Sequence, residues 1–226
     1  MNGFLWRRAV LVRVLPLAVF MLLLALRGQA EGGAFGIDAR WLYAWQVTLV
    51  AAVLAWGWRD YGELARQMRP TVREAAWAAL VGLLVFVAWI HLDAGWMTLG
   101  PPSATFVPLQ ANGQLDQSLL LVRLLGAVLV VPLMEELFWR SFLMRWVDDA
   151  QFERVVPHQL SGKAVVLSTF VFVLAHTQWL AAAIAGLAYA LLYRRSGKLW
   201  LAIMAHAVTN AALALWVVQG RHWQFW

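Results

Sequence analysis

The chain has 226 residues, of which 62% are hydrophobic and 13% are charged, and its mean hydropathy is +0.66. Soluble domains usually carry about a quarter charged residues, so this composition excludes an ordinary soluble domain and indicates a membrane protein. The chain has no cysteine, which excludes disulfides and thiolate metal sites. Its net charge of +6 comes from short basic clusters between apolar runs, a pattern typical of membrane topology, so we predict no nucleic-acid partner.

Seven apolar runs predict an all-α, polytopic bundle of about seven transmembrane helices. A helix needs roughly 20 residues to cross about 30 Å of hydrocarbon. The sixth run is short, and whether it crosses fully stays open. We treat residues 1–226 as one membrane domain with a motif-bearing core in residues 118–218. The runs are residues 9–26, 41–58, 74–92, 118–134, 164–180, 181–193 and 199–218.

Basic residues in the short loops predict the orientation of the helices. Lysine and arginine concentrate before the first run, after the second and fourth runs, and before the seventh, and such segments are normally cytoplasmic. Residues 91–117 contain no basic residue, which fits an outer loop. We therefore expect a cytoplasmic amino terminus and an outer carboxyl terminus. The first run could instead be a cleaved signal peptide, because Gly28 and Ala30 follow it, but Arg27 and the length of the run favour a retained span.

Few polar side chains interrupt the predicted spans, and an ionisable one costs at least about 2.5 to 3.5 kcal/mol to insert. Glu135 and Glu136 end the fourth run, His176 lies in the fifth, and His206 lies in the seventh. Asn210 follows His206 by four residues and projects from the same helix face. Counted from the run ends at about 1.5 Å per residue, these groups have comparable depths, with Glu135 near the cytoplasmic end of its span. The sequence therefore predicts that they converge.

The two adjacent carboxylates have different surroundings. Glu136 and Arg140 are spaced i, i+4 in the favourable order, so the arginine can neutralise and fix the second carboxylate. Glu135 points about 100° away around the helix and has no such partner. Glu135 is therefore the candidate general base.

These groups suffice for hydrolysis of an amide in two alternative ways. Glu135 can take a proton from water that His176 helps to orient, while His206 and Asn210 donate hydrogen bonds to the oxyanion of a tetrahedral intermediate. Alternatively, Glu135, His176 and His206 can form a zinc site with an open water position. The residues alone leave both mechanisms open.

Three motifs resemble those of a known family. The segment EELFWR, residues 135–140, is similar to an EExxxR motif, FVLAH, residues 172–176, to FxxxH, and HAVTN, residues 206–210, to HxxxN. These motifs occur in this order in the CAAX prenyl endopeptidase and bacteriocin-processing (Abi, CPBP) family of intramembrane proteases. Each motif alone is weak, but the three together in successive predicted spans form a specific set.

The resemblance implies an all-helical protease with a membrane cavity open to the cytoplasmic side. It assigns the catalytic carboxylate to Glu135 and supporting roles to Glu136 and Arg140. It implies that His176, His206 and Asn210 complete the site. The family has been described as metalloproteases, so zinc stays an alternative cofactor and no other cofactor is predicted. The expected partners are the bilayer and a membrane-associated peptide or protein substrate, which need not be prenylated.

A non-enzymatic function is the second hypothesis. The same carboxylate and histidines can serve as a proton relay in a proton-linked transporter or an assembly partner. A protease needs Glu135, His176, His206 and Asn210 around one cavity, whereas a relay needs them along a path between the two faces. The sequence leaves the oligomeric state open.

Overall fold

The computed structural model describes residues 8–31, 38–100 and 106–226 of the chain. The described residues form seven helices joined by turns and short 3₁₀ segments, which confirms the all-α prediction. Arg7, one of the residues used to predict the orientation, lies outside the described residues. The helices are α1 (Arg8–Glu31), α2 (Ala39–Trp56), α3 (Val72–His91), α4 (Gln117–Asp148), α5 (Gly162–Leu174), α6 (Trp179–Ser196) and α7 (Leu199–Gly220).

Four of these helices are long and apolar enough to cross a membrane: α1 over Arg8–Gln29, α3, α4 and α7. The chain is therefore an integral membrane protein. Helices α2 and α6 have 18 residues each and α5 has 13, and none of the three belongs to this set. The seven helices follow the seven apolar runs in order, and the number of crossings stays a prediction.

Polar caps fix where several helices begin. Thr71 and Glu74 form a capping box at α3, in which each side chain binds the backbone N–H of the other. The Asp116 carboxylate accepts the first free N–H groups of α4, and the Ser161 hydroxyl accepts the Ala164 N–H of α5. These side chains satisfy backbone donors that a helix leaves unpaired at its start.

The predicted end of the fourth run at residue 134 is wrong as a helix boundary. Helix α4 continues through both carboxylates to Asp148 and has 32 residues, more than about 40 Å of helix at about 1.5 Å per residue. The charged residues after Met134 resemble a solvated helix end in the sequence, but the structure buries Glu136 and Arg140 against other helices. Partners that are distant in the sequence compensate these buried charges, so the helix can continue past them.

The predicted boundary between the fifth and sixth runs is also wrong. Helix α5 ends at Leu174, so α5 is the short helix and His176 lies just beyond it, whereas α6 has 18 residues. Groups near the end of α3 bind the connecting turn, because Thr177 O accepts the Leu99 N–H and the Gln178 amide donates to Trp89 O. These contacts replace the hydrogen bonds that a continuous helix would make.

Successive helices run in opposite directions, which gives the bundle two distinct ends. At the first, here called the basic end, Lys198 before α7 binds Glu74 of α3 at 2.7 Å, and Arg8 of α1 binds Asp60 after α2. At the other, here called the opposite end, Trp179 of α6 donates to Trp96 O, which follows α3. The basic residues of the opposite end among the described residues are Arg27, Arg40, Arg123 and Arg221.

Gly82 allows the close contact between α3 and α7. A Cβ at this position would clash with Ala205 O and the Val208 side chain of α7. We expect Gly82→Ala to destabilise the folded protein by about 1 to 3 kcal/mol, because overpacked helices must separate. Thermal unfolding in detergent measures this effect. Gly162→Ala is the matched control, since a Cβ there meets no atom within 4 Å, and equal stability of the two variants would contradict this interpretation.

Candidate active site

A fully buried carboxylate lies at the centre of the site. Glu136 Oε1 accepts hydrogen bonds from Arg140 Nη1 at 3.1 Å and from His206 Nδ1 at 2.9 Å. The predicted i, i+4 contact is thus present, and α7 adds a partner 70 residues away in sequence. Arg140 Nη2 donates to Gly186 O, and its guanidinium lies 4.8 Å from the centre of the Phe172 ring. Glu136 and Arg140 therefore form a buried ion pair that positions His206.

Side chains from three helices fix the His206 imidazole. Its ring stacks on Tyr189, with centroids 5.1 Å apart and planes inclined by 19°. The Tyr189 hydroxyl donates to Thr209 Oγ1 at 2.7 Å, and Thr209 in turn contacts Gly82 O of α3 at 2.8 Å. Because Nδ1 faces Glu136, His206 retains Nε2 for a ligand or substrate.

Glu135 lies beside this ion pair in different surroundings. Its side chain is 9% exposed, and its Oε2 atom is buried without a hydrogen-bond partner among the described residues. Glu135, His176, His206 and Asn210 all line one cavity of about 210 Å³. The structure therefore brings together four side chains from α4, α7 and the turn after α5.

His176 reaches the cavity from the turn between α5 and α6. Its Nδ1 lies 2.8 Å from Phe172 O, so Nδ1–H donates to that carbonyl and Nε2 stays free to accept a hydrogen bond. The imidazole lies between the rings of Phe172 and Trp89, at centroid distances of 4.3 and 5.8 Å. The backbone bond and the two rings together fix its orientation.

A proline in α4 explains how Asn210 is held. Residues Gly126–Val130 form a π-helical segment in which the Val131 N–H binds Gly126 O, and residue 132 is a proline without an N–H. The Ala127 carbonyl could accept a hydrogen bond from the N–H of residue 131 or of residue 132. The first already binds Gly126 O and the second does not exist, so this carbonyl has no backbone donor. Asn210 Nδ2 donates to this carbonyl at 2.7 Å, which leaves its second amide hydrogen and its Oδ1 for a substrate.

Sequence reasoning missed Arg123, which also lines the cavity. Its guanidinium carbon lies 4.8 to 5.5 Å from the ring centres of Tyr43, Phe106 and Trp226. Its Nε atom is buried and forms no hydrogen bond to the residues that the structure describes. The sequence contains a signal for this residue, because an arginine inside an apolar run costs about as much to insert into a membrane as a carboxylate does.

The zinc alternative finds no support in the geometry. Within residues 8–31, 38–100 and 106–226, no group of three histidine or carboxylate side chains is placed to hold a metal ion. Glu135, His176 and His206, the three predicted ligands, share the cavity but do not form such a group. The residues present therefore do not fit a resident zinc ion.

Comparison with known families agrees with the motifs. The family model described as "Type II CAAX prenyl endopeptidase Rce1-like" matches residues 117–212, somewhat less than half of the chain. The match begins with α4 and includes all three motifs, which confirms the family resemblance predicted from them. Neither the curated proteins nor the solved structures include a match to the chain. The family implies a protease.

Proposed function

From the match of residues 117–212 to this protease family, we propose that the chain is an intramembrane endopeptidase of the CAAX prenyl protease-like type. It hydrolyses a peptide bond in a membrane-associated protein or peptide, and Glu135 activates the attacking water. The observation that carries this proposal is the convergence of Glu135, His176, His206 and Asn210 on one cavity. Hydrolysis requires all four side chains to lie within reach of the same carbonyl group of the substrate.

Each side chain has one role in the reaction. The Glu135 carboxylate takes a proton from water, while His176 Nε2 accepts the second water hydrogen and orients the water. The water oxygen attacks the carbonyl carbon of the substrate and forms a tetrahedral oxyanion. His206 lies with Nδ1 on Glu136 and directs Nε2–H at this oxyanion, and Asn210 donates its second amide hydrogen.

Collapse of the intermediate completes the hydrolysis. Glu135, now a carboxylic acid, transfers its proton to the amide nitrogen as the carbon–nitrogen bond breaks. The products are a carboxylic acid and an amine, the acid then passes its proton to the amine, and Glu135 has returned to its ionised form. The Glu136–Arg140 pair takes no part in proton transfer and keeps His206 in position.

Two observations favour this mechanism over the alternatives. A zinc mechanism needs three ligands in one coordination group, which the described residues do not provide. A proton relay needs groups along a path through the membrane, whereas the four side chains line one cavity, and the Glu136 carboxylate next to it is held by Arg140 and His206.

Histidine substitutions in cells test the proposal. We expect His206→Ala to remove the cleavage products that depend on this protein, because the oxyanion then loses a donor worth roughly 10²- to 10³-fold in rate. Mass spectrometry of the terminal peptides of membrane proteins measures the products. His91→Ala is the matched control, since His91 is exposed at the end of α3 and does not line the cavity. Cleavage at the wild-type rate in the His206 variant would refute the proposal.

A further inference from the structure

Arg123 lines the cavity that also holds Glu135, here called the catalytic cavity, and the proposed reaction does not use it. It is the only lysine or arginine among the described residues that line this cavity. Its Nε atom is buried without a hydrogen-bond partner, and no side-chain carboxylate of the described residues forms an ion pair with it. The only carboxylate that lines the cavity in the described part of the chain is Glu135, which the reaction needs as a base. Arg123 therefore brings a positive charge to the cavity that no side-chain carboxylate pairs with.

Aromatic rings hold the Arg123 guanidinium but leave its hydrogen-bond donors unused. The guanidinium carbon lies 4.8 Å from the centre of the Tyr43 ring and 5.4 Å from that of the Phe106 ring. Such a contact attracts the charge to the ring face, but it offers no oxygen acceptor to the five N–H groups of the arginine. Since a guanidinium without an anion is costly inside an apolar span, the arrangement favours an anionic ligand in the cavity.

A second polar atom without a partner lies beside Arg123. Tyr43 of α2 is 1% exposed and lines the same cavity, and its hydroxyl is buried without a hydrogen-bond partner among the described residues. Gly126 of α4 makes room for this hydroxyl, because a Cβ at position 126 would clash with it. Arg123 and Gly126 are spaced i, i+3 and lie on the same face of α4. The guanidinium and the hydroxyl therefore form one site with donors for an anion.

We propose that Arg123 and the Tyr43 hydroxyl bind a carboxylate of the peptide substrate, and that this contact selects the substrates. The inference rests on the proposed function, since a peptide that reaches Glu135 must occupy the same cavity. One guanidinium carries a single positive charge, which one carboxylate neutralises, whereas a phosphorylated side chain brings about −1.5 to −2 charges. The planar fork of the arginine also matches the two oxygens of a carboxylate.

The spacing along α4 limits where the substrate carboxylate lies. Arg123 precedes Glu135 by 12 residues, which is about 18 Å at about 1.5 Å per residue. An extended peptide covers this distance in about five residues at about 3.3 Å each. The carboxylate therefore lies within about five residues of the cleaved bond. It belongs either to an aspartate or glutamate side chain or to the carboxyl terminus of the substrate.

Peptides with and without a carboxylate test this proposal. The probes are fluorogenic peptides with the cleaved sequences that mass spectrometry of membrane proteins identifies. In one set, every aspartate and glutamate within about five residues of the cleaved bond is replaced by asparagine or glutamine, and in the other the carboxyl terminus is an amide. The full-length protein is assayed in detergent. Its selectivity is the ratio of kcat/KM for the parent peptide to kcat/KM for the neutral peptide, which does not depend on how much of a variant is folded.

We expect the wild-type protein to prefer the parent peptide about tenfold or more in one of the two sets, the size of a hydrogen bond to a charged group. Arg123→Gln should lower this selectivity to about one, mainly through a higher KM for the parent peptide. Tyr43→Phe keeps the ring and removes only the hydroxyl, so it should lower the selectivity about threefold or more. Arg154→Gln is the matched control with wild-type selectivity, since Arg154 is exposed and does not line the cavity.

The set in which the wild-type preference is found identifies the source of the carboxylate. Equal selectivity of the wild-type and Arg123→Gln proteins, or no wild-type preference in either set, would overturn this inference and leave the proposed function in place. The Tyr43→Phe protein decides the question alone if Arg123→Gln does not fold. Absence of Glu135-dependent cleavage of the parent peptide would overturn the proposed function together with this inference.

Discussion

Glu135→Gln is expected to lower the rate of peptide cleavage by about 10²- to 10⁴-fold, the usual contribution of a positioned general base. Glutamine has nearly the same shape as glutamate but cannot take a proton from water. Because Oε2 of Glu135 forms no hydrogen bond to the described residues, the substitution breaks no contact at this atom and should leave the fold intact. The experiment measures cleavage in membranes that contain equal amounts of wild-type and variant protein.

Two controls accompany the Glu135 variant. Asp149→Asn removes an exposed carboxylate at the end of the same helix and should cleave at the wild-type rate. A zinc chelator added to wild-type membranes should leave cleavage unchanged, because the described residues provide no three-ligand group. Full activity of the Glu135→Gln protein would exclude Glu135 as the group that takes the proton from water, and loss of wild-type activity on chelation would exclude the metal-free mechanism.

Arg140→Gln is expected to destabilise the protein by about 3 to 5 kcal/mol, the cost of removing one partner of a buried ion pair. Glu136 is 0% exposed, so its charge would lose its cation without gaining water. The substitution also removes the hydrogen bond to Gly186 O and the cation–π contacts with Phe172 and Tyr189. The thermal midpoint in detergent and the amount of folded protein in membranes measure the loss.

The double variant Glu136→Gln with Arg140→Gln separates charge from packing. It removes both charges, so we expect it to be more stable than the Arg140→Gln protein. Both variants should cleave slowly, since His206 keeps its place only with an intact Glu136–Arg140 pair. If the Arg140→Gln protein were as stable as the double variant, Arg140 would not be needed to stabilise the buried charge of Glu136.

The candidate site residues could be identified from residue types and local spacing. An ionisable group inside an apolar run is costly, so Glu135, His176 and His206 stand out without any structural information. The Glu136–Arg140 contact follows from the i, i+4 geometry of any helix. Arg123 obeys the same rule and was missed only because its charge lies within a run otherwise counted as apolar.

Helix boundaries near the site could not be predicted, because long-range contacts determine them. A run of charges after Met134 has the pattern of a solvated helix end, and only His206, far along the chain, together with Arg140 makes its burial tolerable. The end of α5 before His176 likewise depends on hydrogen bonds that the following turn makes with Leu99 and Trp89, which lie on other segments. Periodicity reports which residues are apolar and carries no information about such partners.

The sequence by itself determined the membrane environment, the helical class and the set of candidate site residues, because each follows from the cost of placing polar groups in lipid. The tertiary structure alone decided how those side chains meet. Proline at 132 frees the Ala127 carbonyl that holds Asn210, and the Glu136–Arg140 pair closes the cavity on one side. Both depend on contacts between helices that no local pattern encodes.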